Sequence, residues 1–347
     1  MTTISLPITL EGADIIMKQS ELFAILPDYV CTPDSMEIGK NGDLIVSCPN
    51  YADVSLPGCV IRIDKAGNIR KWFDVPVHPE TGCARNMGIA LDDDENVYLC
   101  DNQGWSGAPE LQYKGRILKI KADENGNILD WVTVAKNMEH PNGIRILGGY
   151  MYVTQSLLTP ATASGENLLS CVYQFGLDET DVDIDNTAED PHILSIFETK
   201  DPNCQYGVDG IVFDQEERLY IGNFGDGEVW RLTIDKALGA LLGKELFAVD
   251  HENLQSTDGM IFDNRGNLYI ADFSANAVGR ITPDGIVERY AASPDSDGLR
   301  GELNQPGEPI VWEGKLICSC FDLVTGPDKV NSGHSMPATL AQLELAD

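Results

Sequence analysis

The sequence predicts an all-β chain folded as a six-bladed β-propeller, and three observations carry that prediction. One short pattern recurs six times. The copies stand roughly 50 to 55 residues apart, with one gap near 67, which is the period of four-stranded propeller blades. Within each copy two apolar triplets, rich in β-branched and aromatic residues, flank a polar turn carrying Gly or Asn and read as a β-hairpin. The fullest copy, at 256–273, has Asp258 and Gly259, the triplet 260–262, a turn at 263–267, the triplet 268–270 and a polar stop at Asp272.

In chain order, segment 21–26 is a short apolar strand candidate, and 338–345 (ATLAQLEL) is its expected partner, so that the two ends of the chain close the ring within the last blade. Blade one opens at Asp34 and has VIRIDKAGNIRKWFDV as its outer hairpin. Blade two begins at 83–86 and continues through RILKIKADENGNILDWVTV. Between its hairpins, the loop 101–113 mixes Trp105 and Tyr113 with glycines and is a candidate substrate wall. Blade three opens at Asn142 and carries an insertion at 156–170; the acidic connection 178–190 then lengthens the spacing to blade four. Blade four opens at Asp209, and its segment TIDKALGALLGKELFAV reads as a long hairpin loop because of its glycines. Blade five opens at Asp258. Blade six opens at Glu308 and ends in a polar stretch, 326–336, that holds His334. Residues 1–347 are expected to form a single propeller domain.

Composition narrows the function. The chain has 55 Asp and Glu against 24 Lys and Arg, for a formal net charge of -31. Binding to a nucleic-acid backbone or an anionic membrane needs clustered basic residues, so neither partner is expected; a small-molecule substrate is. The nine cysteines include no CxxC pair and are odd in number, which fits reduced thiols in a cytoplasmic protein. The N-terminal stretch MTTISLPITLEGADIIMK lacks a basic start and a sustained apolar core, so no secretory signal is expected. No apolar run approaches the roughly 20 residues of a membrane span.

The chemistry is expected where the repeats converge. In a propeller the residue opening each innermost strand lies near one mouth of the central channel, which groups Asp34, Met87, Asn142, Asp209, Asp258 and Glu308. Asn-Gly and Asp-Gly are also ordinary turn pairs, but five oxygen-bearing residues at one repeat position point to a site. Four of them are carboxylates, which repel unless protonated or neutralised by a cation. An all-oxygen set suits one divalent cation, Ca²⁺ first, with Mg²⁺, Mn²⁺ or Zn²⁺ as alternatives. The five histidines show no ligand spacing; only His140, beside Pro141 and Asn142, is expected near the mouth.

Pro33-Asp34, Arg85-Asn86-Met87-Gly88, Pro141-Asn142-Gly143-Ile144 and Val208-Asp209-Gly210-Ile211 resemble motifs of the senescence-marker-protein/gluconolactonase/luciferin-regenerating-enzyme family, six-bladed propellers more distantly related to diisopropylfluorophosphatase. The resemblance implies that Asp34, Asn142 and Asp209 hold the cation and that Arg85 and Asn86 contact substrate. Three departures stand out. Asp34 is one methylene shorter than the family's usual Glu. Glu308-Pro309-Ile310-Val311-Trp312 resembles the family's first-blade Glu-x-Pro-x-Trp, so either Asp34 or Glu308 could be the acidic ligand. Asp258 is an additional carboxylate, a general base or a further ligand. What the resemblance implies is a metal-dependent hydrolase that opens a lactone or similar cyclic ester, with catalytic Asp209 and Asp258. The alternatives are a binding or scaffold propeller with a structural metal, or another reaction on the same site, such as phosphotriester hydrolysis or a lyase or isomerase step.

Overall fold

The structure, a computed structural model, describes residues 17–346 except 236 and 328, so nearly all of the stretch read for a secretory leader lies outside it. Six sheets stand around a channel, and each is ordered outward from an inner strand. The inner strands are Met36–Ile38, Asn86–Leu91, Pro141–Leu147, Val208–Phe213, Met260–Phe262 and Pro306–Trp312. Each one touches the inner strands of its two neighbours. Among the described residues there is no α-helix, only four short 3₁₀ turns.

Several hairpins close on a local side-chain clamp. In four hairpins, the inner ones of blades two and five and the outer ones of blades one and two, an Asp opens the turn and an Asn lies four residues on: Asp92 and Asn96, Asp263 and Asn267, Asp64 and Asn68, Asp123 and Asn127. In each, Asp Oδ1 accepts the backbone N–H two and four residues later, and Oδ2 accepts the Asn carboxamide. One side chain thereby satisfies three donors of a tight turn. The strands then bury their apolar faces between blades. Tyr98 and Cys100 of blade two pack with Met151, Val153 and Tyr173 of blade three, and similar clusters fill the other junctions. Each large side chain buried this way contributes about 1.5–3 kcal/mol.

The ring closes as the sequence predicts. Glu21–Ile25 pairs antiparallel with Thr339–Glu344, which pairs with Lys315–Cys320, so the N-terminal strand is the outermost strand of blade six. Two expectations are corrected. The acidic connection is not only a spacer: Val182–Asp183 pairs parallel to Ala135 and Lys136 and adds a fifth strand to blade two, held by the Lys136–Asp181 ion pair and the Asn137–Asp183 hydrogen bond. The segment read as a long loop in blade four is strand, since Glu228–Asp235 and Ala240–Val249 pair along their length. Its glycines mark particular points of that hairpin: Gly239 takes a positive φ of 65° at the turn, and Gly243 sits at a register shift.

Glycine also sets the width of the channel. A Cβ on Gly88 would lie 2.1 Å from the carbonyl oxygen of Asn142, and one on Gly210 would lie 2.0 Å from that of Asp258. The small residue of the repeat is therefore needed for close approach of neighbouring inner strands, not for a turn. We expect Gly210→Ala to destabilise the fold by about 1–3 kcal/mol, the cost of overpacking, and to displace Asp258. Urea denaturation checks this; an unchanged midpoint would refute the close-approach argument.

Candidate functional site

Cross-strand register identifies the equivalent positions. Pro141 pairs with Gln155 and Ile144 with Val153; Val208 pairs with Asn223 and Ile211 with Ile221. Asn142 and Asp209 thus occupy the same place, as do Asp34, Met87 and Asp258. In blade six Pro306 pairs with Cys320 and Pro309 with Cys318. The matching residue there is Gly307, and Glu308 lies one residue further along. Glu308 is therefore corrected from ring member to channel residue. Its carboxylate accepts the Ser35 hydroxyl at 2.5 Å and forms an ion pair with the Arg145 guanidinium. Burial opposes the charge on Arg145, but Glu308 and Glu37 outweigh it and raise the pKa of the guanidinium.

Asp34, Asn142, Asp209 and Asp258 converge at the mouth, where they share the lining of one cavity. Asn142 donates to Asp209 Oδ2 at 2.6 Å, and Asp258 Oδ1 accepts the backbone N–H of Gly259 at 2.9 Å. Among the described residues, no ion pair neutralises Asp34, Asp209 or Asp258. Burial first, and then the neighbouring carboxylate of Glu308, pushes Asp34 up to about 8. Asp209 is also pushed well above the usual carboxylate range, by burial and then by the charge on Asp34, with a hydrogen bond shared with Asp258 partly offsetting the rise; Asp258 is pushed well above it by burial, then by Asp209 and Asp34. Asp258 is the more exposed of the three.

Arg85 and Asn86 do not join this cluster. The Arg85 guanidinium donates to the carbonyl oxygens of Pro49, Val54 and Leu56, which ties down a blade-one loop. Asn86 stands one residue before the ring position, donates to Ser47 Oγ and Cys59 O, and keeps its Oδ1 buried without a donor. Both side chains join blade two to blade one, so neither is placed to contact a substrate. His140 is buried behind the wall, and burial pushes it down to about 3, so the ring is neutral at pH 7. None of the nine cysteines is in a disulfide, and seven are buried.

The cavity above the carboxylates measures about 400 Å³. Its wall is mostly apolar: Met87, Phe224, Phe273 and Phe321 form a cluster against which Trp105 packs, and Ser106 and Lys329 add polar groups. The loop expected to supply a wall thus provides Trp105, while Tyr113 lies outside the cavity. Sequence reasoning missed Phe224, Phe273 and Phe321, although a signal was present: each directly follows the second strand of its blade. Below the carboxylates the channel narrows to a void of about 10 Å³, room for one water at most. A larger depression of about 620 Å³ lies alongside, but none of the ring residues line it, and its Asp226 is spent on the backbone amides of Lys200 and Asp201.

The donors fit a hard cation in kind, being three carboxylates that form no ion pair among the described residues and one carboxamide. Among the described residues no three His, Cys, Asp or Glu side chains already form a metal-binding group, so the carboxylates face one another across the mouth without being drawn to a point. Among the described residues, no helix is long and apolar enough to cross a membrane.

No family model and no curated protein sequence matches the chain. Solved structures do. A gluconolactonase from Xanthomonas campestris is 15% identical, with a TM-score of 0.57 over 97% of this chain and 99% of that one. Regucalcin from Agrobacterium tumefaciens, described as calcium-binding, is 13% identical, with a TM-score of 0.59 over 94% and 93%. A streptogramin B lyase is 15% identical, with a TM-score of 0.57 over 96% and 100%. The chain therefore has the six-bladed propeller fold of gluconolactonase and regucalcin structures, the fold of the family that its motifs resemble.

Proposed function

We propose that this protein is a divalent-metal-dependent hydrolase that opens a lactone or similar cyclic ester at the mouth of the channel. The observation that carries this reading is the group Asp34, Asp209 and Asp258, three carboxylates on the floor of a substrate-sized cavity that make no ion pair among the described residues. Asp34, Asn142 and Asp209 would hold the cation. Glu308 is excluded from that set by its pairing with Arg145 and Ser35. When bound, a hard cation such as Ca²⁺ supplies charge stabilisation at the ester carbonyl oxygen.

The residues supply the rest of the chemistry. Asp258 is the general base. It is the most exposed of the three carboxylates, and one of its oxygens is fixed by the Gly259 N–H, which leaves the other to face the cavity. It takes a proton from a water whose oxygen attacks the carbonyl carbon. As the ring C–O bond breaks, the same proton passes to the departing alkoxide. The apolar wall excludes bulk water from the acyl group.

The test is metal content by mass spectrometry, together with turnover of a lactone panel before and after chelation. We expect about one divalent ion per chain, with turnover lost on chelation and restored by the ion. Turnover that survives complete chelation would overturn the reading. The streptogramin B lyase fold match favours a second reading, in which Asp258 removes a proton from carbon and the ring opens by elimination. An unsaturated product without incorporation of solvent oxygen would identify it.

A further inference from the structure

The walls of the cavity say more about the substrate than its floor does. Five aromatic residues follow one another around the mouth. The Tyr206 and Phe224 centroids are 5.3 Å apart, Phe224 and Phe273 5.9 Å, Phe273 and Phe321 5.9 Å, and Phe321 and Trp105 5.4 Å. Tyr51 then stacks on Trp105 at 4.3 Å. These residues come from blades one, two, four, five and six and from the segment between blades three and four, and the belt they make spans most of the rim.

The polar tips of this belt are already engaged. The Tyr51 hydroxyl donates to Asn102 O at 2.6 Å, Asn102 Nδ2 lies 2.9 Å from His140 Nδ1, and the Tyr206 hydroxyl lies 2.9 Å from His140 Nε2 and is bonded by Ser156. That network holds both tyrosine hydroxyls in the wall. A polyol seated against this belt would press hydroxyls onto Phe224, Phe273 and Phe321, which offer no hydrogen bond, and on that side would lose its water without compensation; hydrogen-bonding groups stand at the floor and at Ser106 and Lys329. The carboxylate floor likewise disfavours an anionic ligand.

Resting on the hydrolase reading, we propose that the substrate is an uncharged lactone with an apolar, ring-bearing body rather than a sugar lactone, and that Phe273 and Phe321 determine this specificity. The cavity has the size of a drug-like ligand. The ester faces the carboxylates while the apolar body lies along the aromatic belt.

The experiment has two arms. One compares kcat/KM for dihydrocoumarin and for glucono-δ-lactone with Ca²⁺ present. The other measures calorimetric binding of chroman, the ring ether of the same skeleton, which has no acyl group to hydrolyse. We expect dihydrocoumarin to be favoured by about 100-fold, and chroman binding to weaken by about 10-fold in Phe273→Ala. Phe273→Leu, which keeps apolar surface, should retain chroman binding within about threefold. Phe321→Ala serves as the second variant if Phe273→Ala fails to fold. Equal or better turnover of glucono-δ-lactone, or no chroman binding to the wild type, overturns this proposal and leaves the hydrolase reading standing. Chroman binding that is lost in Phe273→Ala, with no lactone turned over, upholds the apolar ligand class and overturns the hydrolase reading instead.

Discussion

Replacing Asp209 by Asn is expected to lower lactone turnover by about 10³-fold or more and to abolish stoichiometric cation binding, while leaving the metal-free protein more stable than the wild type. The loss of activity follows from the position of Asp209, buried between Asn142 and Asp258 as one of three carboxylates facing the cavity. Removing an electrostatic partner of the reacting centre costs about 10²–10³ by itself, and losing the ion adds to that. The gain in stability follows from the same placement. Asp209 is held well above the usual carboxylate range because burial and the charge on Asp34 oppose its ionisation, and each pKa unit of that opposition corresponds to about 1.4 kcal/mol at neutral pH. Asn is close in shape and can still accept from Asn142, so the repulsion is removed without opening a cavity. Chelated wild type and variant would be compared by urea denaturation and by kcat/KM. A variant that is inactive and also less stable would show that Asp209 is a structural residue, not a strained site residue.

The metal-free protein is also expected to lose stability as pH rises, opposite to the usual behaviour of carboxylates in proteins. Burial, with the charge of Glu308, holds Asp34 at about 8, and burial with neighbouring carboxylates holds Asp209 and Asp258 well above their ordinary values. Between about pH 4 and pH 8 the folded state therefore binds more protons than the unfolded state, and stability falls with pH across that window. The contribution is fully present below the ordinary carboxylate value and is lost as pH rises through the folded-state value. Calorimetry of the chelated protein should show Tm falling by about 5–10 °C between pH 5 and pH 8. Added Ca²⁺ should raise Tm much more at pH 8 than at pH 5, because only the ionised carboxylates hold it. A flat profile, or an equal effect of Ca²⁺ at both pH values, would show that the three carboxylates do not act as one site.

These predictions rest on residues of which only some could be read from the chain. Asp34, Asn142, Asp209 and Asp258 were legible because each opens a repeat, and the repeat itself sets their place in the ring. Glu308 was misread by one residue. Its motif resembles that of the family, but Gly307 has no side chain to mark the true position, and only the pairing of Pro306 with Cys320 and of Pro309 with Cys318 reveals it. Arg85 and Asn86 were read as facing substrate because they adjoin the ring, whereas their side chains turn into blade one. The fifth strand of blade two was hidden because two residues carry too little pattern to read as a strand.

The number of blades, the joining of the two chain ends in blade six and the meeting of carboxylates at one mouth can all be read from the order of residues along the chain. All three follow from period and position, which are local properties repeated along the chain. The direction of Arg85 and Asn86, the pairing of Glu308 with Arg145 and the gathering of Phe224, Phe273 and Phe321 with Trp105 around one cavity emerge from the packing of the blades. Those contacts join residues far apart in the chain, and they are set by how tightly neighbouring blades pack, with Gly88 and Gly210 lying against the backbone of the next blade.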